Sequence, residues 1–203
     1  MSWDLKKELK RKVAHLLALS FIAIFLLVSE FYGKNLALLS LVLLLIIFLE
    51  LEYVRIELRK KIPLLSGLWR GKEKDRVGGQ VFFLIGAIIS LAVFDLDIAI
   101  AAILMTIFGD MAAALIGKRF GKTWISKDKA LEGIFAQLFV DVVIAYLVFN
   151  IIFGSGGWVI MLTMALTATV VESVLSNLDD NLMIPLFSGF NGQMIRLILN
   201  FIK

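Results

Sequence analysis

Seven long apolar stretches follow one another along this chain with only short polar gaps, and that feature limits what it can fold into more than any other. A helix that crosses a bilayer takes about 20 mainly apolar residues. Seven of them would use about 140 of the 203 positions and leave little beyond short loops. Composition agrees: 60% of residues are hydrophobic, 19% are charged and the mean hydropathy is +0.92, which excludes an ordinary soluble domain. The expectation is an all-α polytopic membrane protein, a single integral-membrane domain over 1–203. The absence of Cys removes disulfides, thiolate metal sites and redox thiols. The formal charge of +4 is too small to imply a nucleic-acid partner.

The apolar segments run from Val13 to Val28, Leu36 to Leu51, Val81 to Phe94, Ile98 to Gly117, Leu131 to Phe153, Trp158 to Leu175 and Leu182 to Ile202. The last contains Pro185, Gly189 and Gly192, which predict a broken or tilted helix and leave six spans as the alternative to seven. The basic-then-apolar N-terminus lacks a small-residue cleavage pattern and reads as a retained first helix. Five Lys and Arg precede that helix, eight fall between the second and third and five between the fourth and fifth, all on one side of a seven-span chain. Short basic loops stay cytoplasmic, so the N-terminus is expected inside, with a cytoplasmic loop at about 55–80. Trp3, Trp69, Trp124 and Trp158 lie near predicted helix ends, where an amphipathic ring suits the interface.

An ionisable group inside a bilayer costs at least a few kcal/mol, so the depth of such groups carries functional information. Asp110 falls within the fourth segment, about 10 Å before its expected end. Glu172 closes the sixth, Glu50 and Glu52 end the second, His15 begins the first, and Asp179-Asp180-Asn181 joins the last two. All are expected in the cytoplasmic half. Asp141 is deeper and reads as a polar contact between helices. Beside the acids stands Lys118-Arg119-Phe120-Gly121-Lys122. Hard cations such as Mg²⁺ take carboxylate and phosphate oxygens, and lysines with glycine-exposed amides neutralise the remaining phosphate charge. This composition points to a nucleotide site at the membrane surface.

Gly109-Asp110, Ala112-Ala113, Gly117-Lys118, Gly121-Lys122 and Lys129-Ala130-Leu131-Glu132-Gly133 together resemble the central signature of the CTP-dependent lipid kinases, which include dolichol or polyprenol, phytol and yeast-type diacylglycerol kinases. Glu172-Ser173, Asp179-Asp180-Asn181-Leu182 and Ile184-Pro185 resemble their second signature. Glu8, Arg11-Lys12 and His15 are similar to the N-terminal pattern, and Leu68, Arg70, Glu73 and Gly78 or Gly79 to a cytoplasmic-loop motif. The related phosphatidate cytidylyltransferases share a Ser-Pro-Lys-Lys-Ser/Thr-x-Glu-Gly loop. Here Ser126 to Gly133 keeps Ser126, Lys129, Glu132 and Gly133 but lacks the proline, the first paired lysine and the hydroxyl residue.

The resemblance implies transfer of the γ-phosphoryl group of CTP to a membrane lipid alcohol, polyprenol or dolichol type first, with Mg²⁺, on the cytoplasmic face of a cell or endoplasmic-reticulum-type membrane. It implies Asp110, Asp179 and Asp180 as metal-associated carboxylates, with Asp110, Glu132, Glu172 and His15 as catalytic candidates. Lys118, Lys122 and Lys129 would hold phosphates; Gly109, Gly117 and Gly121 would allow backbone approach to phosphate or to a helix; Asn181, Arg70 and Glu73 would complete the nucleotide site. The competing readings are a cytidylyltransferase making a CDP-lipid and an ion-coupled transporter using Asp141 and a broken last helix. The partners expected are CTP, the lipid alcohol and the bilayer, with a homo-oligomer left open.

Overall fold

The computed structural model describes residues 18–59, 76–126, 129–174 and 178–202. His15, Arg70, Glu73, the N-terminal motif and most of the expected loop at 55–80 lie outside them. The described chain is all-helical. Its helices are α1 (Leu19–Tyr32), α2 (Lys34–Ile56), α3 (Gly79–Val93), α4 (Leu96–Phe120), α5 (Leu131–Tyr146), α6 (Trp158–Val174) and α7 (Asp180–Ile202). A π-helical turn over Leu147–Ile152 extends α5. Four helical segments are long and apolar enough to cross a membrane: α2, α4, α7 and Leu131–Ile152. α1, α3 and α6 are apolar but shorter.

The chain divides into two compact units, Met1–Ile88 and Ile89–Lys203. In the first, α1 and α2 form a helical hairpin around Gly33, whose φ of 85° falls where only glycine rests without strain. The Gly33 N–H donates to Ser29 O at 3.0 Å and closes α1. Phe21 meets the edge of the Phe48 ring at 5.9 Å and lies 6.1 Å from Phe83. Glu52 is buried and takes the Arg55 guanidinium, which also donates to Arg76 O at 2.6 Å. Glu52 is thus ion-paired at the end of α2, while Glu50 is exposed.

In the second unit α4 is the central helix, packed by α5, α6 and α7. Every residue from Asp97 to Ile103 is buried, as expected of a helix apolar all round. Small residues set how closely its neighbours approach. A Cβ on Gly133 would stand 2.6 Å from Ala113 O and 3.0 Å from Gly117 Cα, so α4 and α5 cross with their backbones nearly touching.

The last helix is not broken. α7 runs without interruption from Asp180 to Ile202 with Pro185 inside it. Its two glycines serve packing instead of a break: a Cβ on Gly189 would run into the Phe94 ring, and one on Gly192 into Met164. Asn191 Nδ2 donates to Thr167 Oγ1 at 2.7 Å, a polar tie between α6 and α7.

Candidate functional site at the α4–α5 and α6–α7 turns

Successive helices of the second unit pack on one another, so the α4–α5 and α6–α7 connections fall at the same end. α4 carries Lys118 and Arg119 in its last turn, where cations favour the negative end of the helix dipole, and it continues to Phe120. The Gly121 N–H closes it onto Gly117 O at 3.0 Å. A Cβ at Gly121 would strike both Gly117 O and the Ala130 side chain, so the turn needs glycine for space.

Beyond Gly121 the chain folds back on itself. Trp124 and Ala130 form an antiparallel bridge, Ile125 N–H donates to Lys129 O at 2.9 Å and Leu131 N–H donates to Thr123 O at 2.8 Å. Glu132, in the first turn of α5, reaches back into this loop. Its carboxylate accepts the N–H groups of Lys122 at 3.0 Å and Thr123 at 3.2 Å. It therefore fixes the backbone from which the exposed Lys122 side chain projects. Arg119, Phe120, Gly121, Lys122 and Glu132 line an open depression of about 490 Å³.

Lys129 leaves the other arm of the loop and brings its Nζ to 3.7 Å from Glu172 Oε1 on α6. Glu172 is buried on the same α6 face as Thr169, one turn earlier. At the head of α7, Asp179 Oδ1 accepts both the Asn181 N–H at 3.1 Å and the Asn181 Nδ2–H at 2.8 Å, while Asp180 Oδ1 accepts that backbone N–H at 3.0 Å. Asn181 is buried and Asp179 and Asp180 are half-buried. Two carboxylates at a helix N-terminus suit the positive end of its dipole.

Asp110 sits deeper. Because α4 runs on to Phe120, Asp110 lies about 15 Å from the helix end, not 10 Å. Its neighbour Gly109 abuts α5, where an added Cβ would strike Asp141 Oδ1. Asp141 Oδ2 in turn accepts the Thr169 hydroxyl at 3.2 Å, so the expected interhelical polar contact is present. Gly109 and Gly117 thus give close approach to α5. Lys118, Lys122, Lys129, Glu132, Glu172, Asp179, Asp180 and Asn181 share the end of the unit. Among the described residues no three Asp, Glu or His side chains cluster as metal ligands.

Sequence reasoning missed a second polar cluster at the opposite end. Arg196 of α7 grips Asp97 of α4 through two 2.7 Å hydrogen bonds and Asp95 through one of 3.0 Å, with its guanidinium 5.5 Å from the Phe149 ring centroid. Ser155 Oγ donates to Asp97 Oδ2 at 2.6 Å, and Gln193 exchanges hydrogen bonds with Asp95. The available signal was one arginine within an apolar helix, which needs an acidic partner.

Fold and site together define an all-helical protein of membrane composition that gathers a basic, glycine-bent loop and several acids at one end. The chain is 30% identical over 192 residues to an uncharacterized protein of Rickettsia prowazekii, covering 90% of this chain and 92% of that one. It is 29% identical over 136 residues to CTP-dependent diacylglycerol kinase 1 of Schizosaccharomyces pombe, covering 60% of this chain and 62% of that protein. The corresponding Saccharomyces cerevisiae protein is 25% identical over 210 residues, covering 91% of this chain and 72% of its own length. The chain belongs to one family with the Rickettsia protein, and its similarity to the two yeast proteins supports a place among the CTP-dependent lipid kinases. No family model and no solved structure matches it.

Proposed function

We propose that the protein is a CTP-dependent kinase that transfers the γ-phosphoryl group of CTP to the hydroxyl of a membrane lipid alcohol at the cytoplasmic face. Phosphoryl transfer of this kind depends on positioning and charge stabilisation, with little covalent work for the protein. The observation that carries the reading is the Gly121–Glu132 turn: Glu132 holds two consecutive backbone amides at the base of Lys122, and the same turn carries a second lysine, Lys129, paired with Glu172. The named similarity to CTP-dependent diacylglycerol kinases supports the nucleotide. Diacylglycerol, the acceptor named in those relatives, stands beside a polyprenol or dolichol as a candidate acceptor.

In this reading Lys118 and Lys122 hold the phosphates and Lys129 is positioned by Glu172. Glu132 organises the loop under the nucleotide, and Asn181 orders the head of α7. The donor set fits a Mg²⁺ ion that arrives with phosphate oxygens, since such ions need only one or two protein carboxylates. Asp179 and Asp180 would hold it, with Asp110 as a further carboxylate deeper along α4. Mg²⁺ would neutralise charge on the transferring group. The lipid enters laterally with its tail in hydrocarbon. His15, Arg70 and Glu73, which the resemblance implies for the site, lie outside the described residues.

Incubating the purified protein with CTP and a panel of lipid alcohols, with and without Mg²⁺, tests this. The expected products are CDP and a lipid monophosphate, formed only with Mg²⁺. Pyrophosphate and a CDP-lipid would instead identify a cytidylyltransferase, and nucleotide-independent solute flux in liposomes a transporter.

A further inference from the structure

One face of α7, with Ile184, Pro185, Ser188, Gly189 and Gly192, is buried. Another carries Phe187, Asn191, Met194, Ile198 and Phe201, spaced four, three, four and three residues apart. Phe187, Asn191, Ile198 and Phe201 are exposed and Met194 is half-buried. Residues recurring every 3.5 positions stay in line when one helix wraps another, which is the seam of a parallel coiled coil. Arg196 braces α7 from the far side, onto Asp97 of α4 in its own chain.

Four of the five seam residues are apolar and would be content against lipid. Asn191 would not. It stands at the middle of α7, a helix long and apolar enough to cross a membrane, so its amide falls at the depth of the hydrocarbon. One Nδ2–H is used on Thr167 Oγ1 at 2.7 Å, and the Thr167 hydroxyl itself donates to Thr163 O at 2.7 Å. Oδ1 and the second N–H have no partner among the described residues. Lipid tails offer none, and the ester and headgroup oxygens lie at the bilayer surface, about 15 Å from the midplane.

What remains is one acceptor and one donor, a set complementary to itself. If two copies meet about a two-fold axis along the membrane normal, each free Nδ2–H donates to the other copy's Oδ1. Every N–H of both amides is then used, and each Thr167 keeps its bond. A single asparagine inside an apolar seam also fixes the register and the number of helices that join.

We propose that this stripe of α7 is a homodimer seam, in which the Asn191 side chains of two copies exchange amide hydrogen bonds in the bilayer core. The seam does not depend on the reaction that the protein catalyses.

Because the chain has no cysteine, single cysteines report the contact directly. Phe187→Cys lies in the seam, and Phe139→Cys, at an exposed position of α5, lies outside it. In membranes holding the full chain, oxidation with copper phenanthroline should link Phe187→Cys into dimers and leave Phe139→Cys monomeric. Energy transfer between labelled copies, followed on dilution in phosphatidylcholine vesicles, gives the dissociation constant. Asn191→Leu should raise it about tenfold, the effect of a lost polar pair between membrane helices. Thr167→Val removes only the bond within one chain and should leave the dimer intact. Monomeric Phe187→Cys, equal linking at both cysteine positions, a dissociation constant unchanged by Asn191→Leu, or the same weakening by Thr167→Val would each overturn the proposal.

Discussion

At the scale of single residues, the acids divide by what they touch. Glu132 faces the amides of Lys122 and Thr123, so Glu132→Gln is expected to loosen the loop before it affects chemistry. Hydrogen exchange at those two amides should speed up by about tenfold, with a raised KM for CTP and a smaller change in kcat. Unchanged exchange would remove its organising role. Lys122→Ala should raise the KM for CTP by about tenfold or more, as expected for a lost charge-assisted contact to phosphate. Which residues gather at this end was partly legible in the sequence, since Lys129, Glu172, Asp179 and Asp180 stand out against apolar surroundings. Their partners were not. The Glu132 contact exists only because the chain reverses at Gly121, and the Thr169–Asp141 contact only because α5 and α6 pack in one register.

At the scale of elements, the apolar runs located the seven helices seen among the described residues, and the ends were less well defined. α4 outlasts its apolar run because Lys118 and Arg119 are favourable in a last helical turn, so the sequence placed Asp110 too near the end. α7 survives Pro185, and its glycines turned out to be contact points, a distinction that depends on Phe94 and Met164 from elsewhere in the chain. Gly133→Ala should destabilise the α4–α5 crossing by about 1–3 kcal/mol, because the obstacle is backbone that cannot rotate away. Its melting temperature in detergent is the measure. Replacing Arg196 with Leu should cost roughly 2 kcal/mol by leaving Asp97 without its cation, a value between exposed and buried pairs. An unchanged melting temperature would show the cluster to be dispensable.

At the scale of the whole molecule, the expected orientation rests on the distribution of Lys and Arg, and the absence of cysteine makes it simple to test. Ser126→Cys in the basic turn should resist a membrane-impermeant maleimide in intact cells and react after permeabilisation. Trp158→Cys, at the opposite end of the second unit, should react without it. The reverse pattern would put the nucleotide site on the wrong face. The expectation of membrane helices was legible from composition alone, whereas the gathering of lysines and acids at one end required the packing of α4 to α7.

The central claim is that this end of the molecule moves the terminal phosphate of CTP onto a lipid. Parallel reactions with γ-labelled and α-labelled CTP, diacylglycerol and purified protein test it most directly, with Asp110→Asn as the folded control. Label should enter lipid from the γ-position only, and only with the unsubstituted protein. Label entering lipid from the α-position, or equal transfer by Asp110→Asn, would contradict the account.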